Sequence, residues 1–202
     1  MMHLYVGRVL AEHDARLDDA GAFYLGCIAP DGVNVDGFAE KAVRWQAHLR
    51  DADLARWAEK IAAYYREQRG RYPESLLLGY LAHCLTDVVW DAFYHDAVWS
   101  AAAQVQGRSS MMGMEPGWEE CFRYDYDQLR RPWWLSEVRP ALQAARAQAI
   151  GGVSREQLER YRLFTVGGYA DTIPGGSPRI VRPALVRELS GRVLEKYEEL
   201  LV

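Results

Sequence analysis

The chain has 202 residues, half of them hydrophobic and 12% aromatic, with a formal net charge of −4. That is ample apolar material for one packed domain, and the length does not require two. The acidic balance excludes a protein that coats nucleic acid, which needs clustered Lys and Arg; here Arg50-Asp51 and Arg155-Glu156 mix the signs, so no stable nucleic-acid complex is expected. The three cysteines, Cys27, Cys84 and Cys121, are widely spaced and offer neither a disulfide framework nor a CxxC pair, so they read as small buried apolar residues. The start, His3-Leu4-Tyr5-Val6, lacks the pattern of a signal peptide, and the uncharged apolar run near Ser75–Thr86 is too short to span a bilayer. The expectation is a cytoplasmic protein with no transmembrane segment.

Helical periodicity dominates the chain. Val6, Val9 and Leu10 place a first helix that continues to about Asp18. A second is expected from about Phe38 to Gln68, broken near Asp51, with an apolar stripe of Trp45, Leu49, Ala52, Trp57, Ile61 and Tyr64. The Tyr72-Pro73-Glu74-Ser75 turn opens a third, running to about Val105. Gly107–Gly117 breaks the pattern as a loop. Further helices are expected at about Trp118–Arg130, Trp133–Ala149, Ser154–Phe164 and Pro183–Leu200, with Ser154 and Gln157 spaced as a capping box. A Gly/Pro-rich connection, Gly167–Pro178, separates the last two and, like the Met-rich stretch at Ser109–Pro116, offers hinges beside a pocket. Alternating strands are absent, so the expected fold is all-α, a single-domain multi-helix bundle over 1–202 with a metal site between its helices.

The strongest chemical signal is Leu78–Trp90, a largely apolar helix that carries His83 and Asp87. Residues four apart share one helix face, with Cβ atoms about 5–6 Å from each other, close enough to hold one ion. Ionisable groups in a buried helix are costly unless paired, and a cation pairs with both. Three of the five histidines recur in comparable settings. His3 opens the first helix, His48 lies in the second and His83 in the third. Asp31 follows the rigid turn Ile28-Ala29-Pro30.

Taken in order, Met2-His3-Leu4, the LGxIAPD turn at Leu25–Asp31, Ala47-His48-Leu49 and GYLAHxLTDxxW at Gly79–Trp90 resemble the bacterial zinc-dependent phospholipase C family. Its superfamily includes fungal zinc nucleases. The resemblance covers roughly the first hundred residues. It implies that Asp31, His48, His83 and Asp87 hold one zinc, and that His3 holds a neighbouring ion with Asp87 bridging. Downstream family ligands have no clear counterpart beyond His95 and the loose carboxylates Asp91, Glu115, Glu119, Asp125 and Asp127. One or two ions are therefore expected, and iron or manganese suits the same donors.

The activity this implies is a metal-dependent hydrolase that cleaves a small-molecule phosphoester with an activated water, Asp31 accepting the water's proton. A lyase, cyclase or amide-cleaving enzyme acting on a specialised metabolite is the alternative, followed by a helical protein with a purely structural metal. A rival family, the HD-type phosphohydrolases, would use His48, His95-Asp96 and Asp125. The tryptophans Trp90, Trp99, Trp118, Trp133 and Trp134 read as core anchors, the run Tyr124–Asp127 can reach the site from the fourth helix, and His13-Asp14 reads as a solvent-facing pair.

Overall fold

The computed structural model describes residues 1–106, 115–168 and 177–201. Among them the architecture is all-α, without a β-sheet; only isolated bridges occur, such as Ile150 with Val153. The α-helices are α1 (Met2–Ala11), α2 (Ala20–Gly26), α3 (Lys41–Ala47), α4 (Leu54–Gln68), α5 (Glu74–Phe93), α6 (His95–Gln106), α7 (Pro116–Gln128), α8 (Arg139–Ala144), α9 (Arg155–Leu163) and α10 (Pro183–Leu201). A 3₁₀ turn spans Pro30–Asn34, and π-helical turns span Trp133–Val138 and Phe164–Gly168.

Helix α5 is the axis. It is buried without interruption from Ser75 to Thr86, because α1, α2, α4 and α10 all pack on it. Each fully buried Leu contributes roughly 1.5–3 kcal/mol, so Leu76, Leu77, Leu78 and Leu81 anchor the core from one helix. By length and composition α5 would suffice to cross a membrane; here 78% of its apolar window is buried inside the molecule itself.

The two glycines of the sequence motifs have a common cause. A Cβ on Gly79 would run into the Phe23 carbonyl, and one on Gly26 into the Leu76 carbonyl. Helices α2 and α5 therefore cross backbone to backbone, closer than side chains permit. That crossing brings the end of α2, and with it Cys27 and the turn to Asp31, against the face of α5 that carries His83.

Several expected elements differ. The first helix stops at Ala11 rather than Asp18, and α2 has no counterpart in the periodicity because its few residues are buried on most sides. The second helix is broken near Asp51, as expected: it is α3 and α4, with His48–Asp53 between them and Asp53 capping α4 by accepting from Arg56 N at 3.0 Å. The third divides at Tyr94 into α5 and α6. The helix expected at Trp133–Ala149 ends at Ala144 after its π-helical turn. The capping box at Ser154 is present. The expected loops lie largely outside the described residues, which omit 107–114 and 169–176. Trp90, Trp133 and Trp134 are core residues, as expected, but Trp118 is 43% exposed and stands edge-on to Trp99. Asp14 is not solvent-facing: its carboxylate accepts from Arg16 and from the Tyr197 hydroxyl.

Candidate metal centre

His83 projects from the middle of α5 and is 1% exposed. Its Nδ1 lies 2.7 Å from the Cys27 carbonyl oxygen, an acceptor only, so Nδ1 carries the ring proton and Nε2 presents a bare lone pair. That Nε2 is the buried side-chain nitrogen or oxygen without a hydrogen-bond partner among the described residues. Leaving such an atom unsatisfied costs roughly 1–3 kcal/mol. The α2–α5 crossing both fixes the tautomer and aims the lone pair.

Three other segments bring donors to the same point. Asp87, one turn along α5, places Oδ2 3.8 Å from His83 Nε2. His48 sits at the C-terminal end of α3; its Nδ1 donates to the Arg44 carbonyl at 2.8 Å, its own carbonyl accepts from Trp57 Nε1 at 2.9 Å, and its Nε2 points inward. That nitrogen is 3.4 Å from Asp31 Oδ1 and 3.8 Å from Asp87 Oδ2. His3, in the first turn of α1, stacks on His83 with ring centroids 3.8 Å apart and its Nε2 2.9 Å from Asp87 Oδ1.

Two triads result, His3–His83–Asp87 and Asp31–His48–His83, each with its ligand atoms within 4.8 Å of one another. They share His83, and Asp87 faces both. A tetrahedral ion bonded at about 2.0–2.2 Å has ligand–ligand edges of about 3.3–3.6 Å. The Asp31, His48, His83 and Asp87 separations of 3.4–3.8 Å are close to that value, so the residues present fit a divalent cation. The cluster is open on one side: the Asp31 and Asp87 side chains are 32% and 21% exposed.

The electrostatics suit a cation as well. Burial pushes His83 down to about 3, with nearby His3 adding to the effect against the pull of Asp31 and Asp87, so the ring stays neutral and ligand-ready. Burial works against ionising Asp87, yet the His3 hydrogen bond and the neighbouring imidazoles hold it at about 2. Asp31 is likewise held below the carboxylate range, its burial outweighed by the His48 hydrogen bond and the surrounding histidines. Burial opposes a charge on His48, but Asp31 and Asp87 raise it above its ordinary value.

All five residues singled out in the sequence, His3, Asp31, His48, His83 and Asp87, therefore converge. Two more flank the cluster: Tyr161, which the sequence did not single out, and Asp91, named there only as a loose carboxylate. Tyr161, from α9, faces Asp31, and burial together with that carboxylate's charge pushes its phenol well above the usual range. Only a helical stripe marks it in the sequence. Asp91, one turn beyond Asp87, is raised by burial and by the Asp87 charge, against the pull of Arg50, and receives a hydrogen bond from Arg50 Nη2. Its spacing of four from Asp87 was a readable signal.

Arg50 is set by an unusual turn. Leu49 has φ +54°, the left-handed region normally left to Gly. Leu49 N–H donates to the Gln46 carbonyl at 3.1 Å and Arg50 N–H to the Trp45 carbonyl at 2.7 Å, the two bonds of a Schellman motif closing α3. The strain, about 1–2 kcal/mol, is held by Leu49 packing on the core.

Other candidates are spent elsewhere. His95 bonds its neighbour Asp96 at 2.9 Å and stacks on Trp99, with the Asp96 side chain fully exposed, so the His-Asp doublet does not join the cluster. Glu115 accepts from Trp99 Nε1, Glu119 pairs with Arg123, and Asp127 with Arg131. Glu120 accepts the backbone N–H groups of Arg179 and Ile180. Asp125 lies 3.1 Å from the Met1 nitrogen, and its charge acts on Tyr161.

Compared with known proteins, the chain matches no family model, no curated protein and no solved structure.

Proposed function

We propose that this protein is a metal-dependent hydrolase, with zinc as its ion, that cleaves a phosphoester by an activated water. The observation that carries the reading is the bare, buried Nε2 of His83, aimed at a point that His48, Asp31, Asp87 and His3 also face. A core histidine with no ligand would be expected to satisfy both nitrogens within the protein. The order of the motifs, which resembles zinc-dependent phospholipase C, supports the choice of a phosphoester.

A bound divalent cation supplies Lewis acidity, making water a nucleophile near neutral pH and drawing charge from a phosphoryl oxygen. The chain's own residues do the rest. His48 and His83 are locked in the tautomer that offers Nε2, each through Nδ1 on a backbone carbonyl. Asp87 belongs to the triad with His3 and His83, and its Oδ2 lies 3.8 Å from His48 Nε2 of the other, so it would serve either ion if two were bound. Asp31, kept ionised and partly open to solvent, accepts the proton of the attacking water, with His48 Nε2 3.4 Å from its Oδ1. That openness favours catalysis over a structural ion, whose protein shell is closed. A small cytoplasmic phosphoester is the substrate this reading implies.

The test is elemental analysis of stripped and reloaded protein, wild type against Asp87→Ala, together with a screen of phosphomonoesters and phosphodiesters. One or two zinc ions per chain, lost in Asp87→Ala along with hydrolysis, is the expected result. A folded wild type that takes up neither zinc, manganese nor iron overturns the proposal.

A further inference from the structure

We infer that Arg50 is the anion anchor of this centre, and that the centre consequently takes phosphate monoesters in preference to diesters. The inference rests on the metal-dependent reading above and adds to it the charge state of the substrate.

Arg50 is two residues beyond His48, on the far side of the left-handed Leu49, so one Schellman turn sets both the imidazole and the guanidinium. The guanidinium is pinned in three ways. It lies over the ring of the buried Trp57, 4.7 Å from the centroid, over Trp45 at 5.7 Å, and its Nη2 donates to Asp91. Asp91 is one turn from Asp87 on α5, with Cβ atoms about 5–6 Å apart, so the guanidinium is tied to the residue that follows the cluster on that helix face. Its Nε and Nη1 make no hydrogen bond among the described residues, and the side chain is 34% exposed. A rigid, aromatic-backed fork with donors to spare, beside a cluster whose two carboxylates, Asp31 and Asp87, a divalent cation would neutralise, is suited to receive an oxyanion.

The preference follows from counting oxygens. A monoester has three unesterified oxygens: two can engage the arginine fork while the third faces the ion. A diester has two, so it must give up one contact. A strained non-glycine turn at this position is consistent with function, since such strain persists where the surroundings over-determine it.

A purely architectural Arg50–Asp91 pair, tying the α3–α4 connection to α5, predicts the opposite pattern in one measurement. If the pair only braces the fold, Arg50→Gln and Asp91→Asn act in the same direction. If Arg50 binds the anion, they act in opposite directions, because losing Asp91 frees the fork.

The experiment is calorimetric binding of inorganic phosphate to the zinc-loaded protein, with zinc stoichiometry measured for every variant. Arg50→Gln is expected to weaken phosphate binding about tenfold or more, the loss of charge-assisted hydrogen bonds, with zinc content unchanged. Asp91→Asn is expected to tighten it, and the gain should vanish in the double variant. Arg50→Lys, which keeps the charge but not the fork, should fall between wild type and Arg50→Gln and guards against misfolding of the latter. Dimethyl phosphate should bind more weakly than phosphate to wild type and respond little to Arg50→Gln. Glycerol phosphate in solution and phosphatidate in vesicles separate a soluble from a lipid source, and dependence on Arg50 in either arm supports the anchor. Equal phosphate binding by zinc-loaded wild type and Arg50→Gln, or weakening by Asp91→Asn, overturns the inference and leaves the hydrolase reading standing. Failure of wild type to load any metal defeats both, and the zinc assay alone reveals it.

Discussion

Ser75 and His83 lie two turns apart on α5, and each is 1% exposed, yet they stand in opposite chemical states. The Ser75 hydroxyl donates to Asp18 Oδ1 at 2.7 Å and accepts from the backbone N–H groups of Asp18 and Asp19 at 3.2 Å each. Its hydrogen-bonding capacity is used up inside the protein. His83 spends Nδ1 on the Cys27 carbonyl and leaves Nε2 with nothing. Burial alone does not separate a structural polar residue from a functional one; the unspent lone pair does.

Gly79, between the two, allows the widest disturbance. Gly79→Ala puts a methyl group into the Phe23 carbonyl, and backbone has nowhere to go. We expect about 3 kcal/mol or more of lost stability, read by urea unfolding, together with weakened metal binding as the Cys27 carbonyl moves off His83. An unfolding midpoint equal to wild type would show that the α2–α5 crossing is looser than described.

The comparison itself is sharpest in His83→Leu. Zinc affinity should drop by about 100-fold or more, because a ligand and not merely its support is removed. The chelator-treated protein should change by no more than about 1 kcal/mol, since an unsatisfied buried nitrogen leaves with the ring. If instead the variant loses several kcal/mol without metal and binds zinc as before, His83 is a second Ser75.

Acidification isolates the same residue. His83 titrates at about 3 in the folded chain against 6.5 unfolded, so between those values the unfolded state holds the extra proton and stability falls as the pH falls. Lowering the pH of metal-free protein from 6.5 to 5 should cost about 2 kcal/mol, at roughly 1.4 kcal/mol per pH unit. Asp87, held at about 2 against 3.8, stabilises above 3.8 and loses that contribution only as the pH falls towards 2, outside this window. His48 has the opposite sign: its raised value supplies stability below 6.5 that disappears as the pH rises through it. A flat profile from 6.5 to 5, or one unchanged in His83→Leu, would place the orphaned nitrogen elsewhere.

Ser75→Ala should have the smallest effect. It should lower stability by about 1–2 kcal/mol, for the lost hydroxyl and the stranded N–H groups, and leave zinc content as it was. A change in metal binding would mean that the two ends of α5 are coupled.

Much of this was readable before any contact was known. The face shared by His83 and Asp87 follows from helical geometry, and the capping box at Ser154 is written in two side chains. The break near Asp51 between α3 and α4 was legible as well, although the chain closes α3 with Leu49 where Gly is the usual stop signal. Helix α2 escaped because seven residues buried on most sides carry no period. Tyr161 escaped too: a tyrosine on an amphipathic helix looks the same whether it meets solvent, core or Asp31.

The sequence by itself determined the helical class and the pairing of His83 with Asp87, since both depend on interactions within a few residues of chain. The motif order marked His3, Asp31 and His48 as partners but did not bring them together. Only the tertiary structure decided that they meet, that Cys27 turns the His83 lone pair towards them, and that Arg50 pairs with Asp91 one turn beyond Asp87. The reason is physical: a helix repeats every 3.6 residues wherever it lies, whereas the meeting of three distant segments depends on the close α2–α5 crossing at Gly26 and Gly79 and on a strained turn at Leu49.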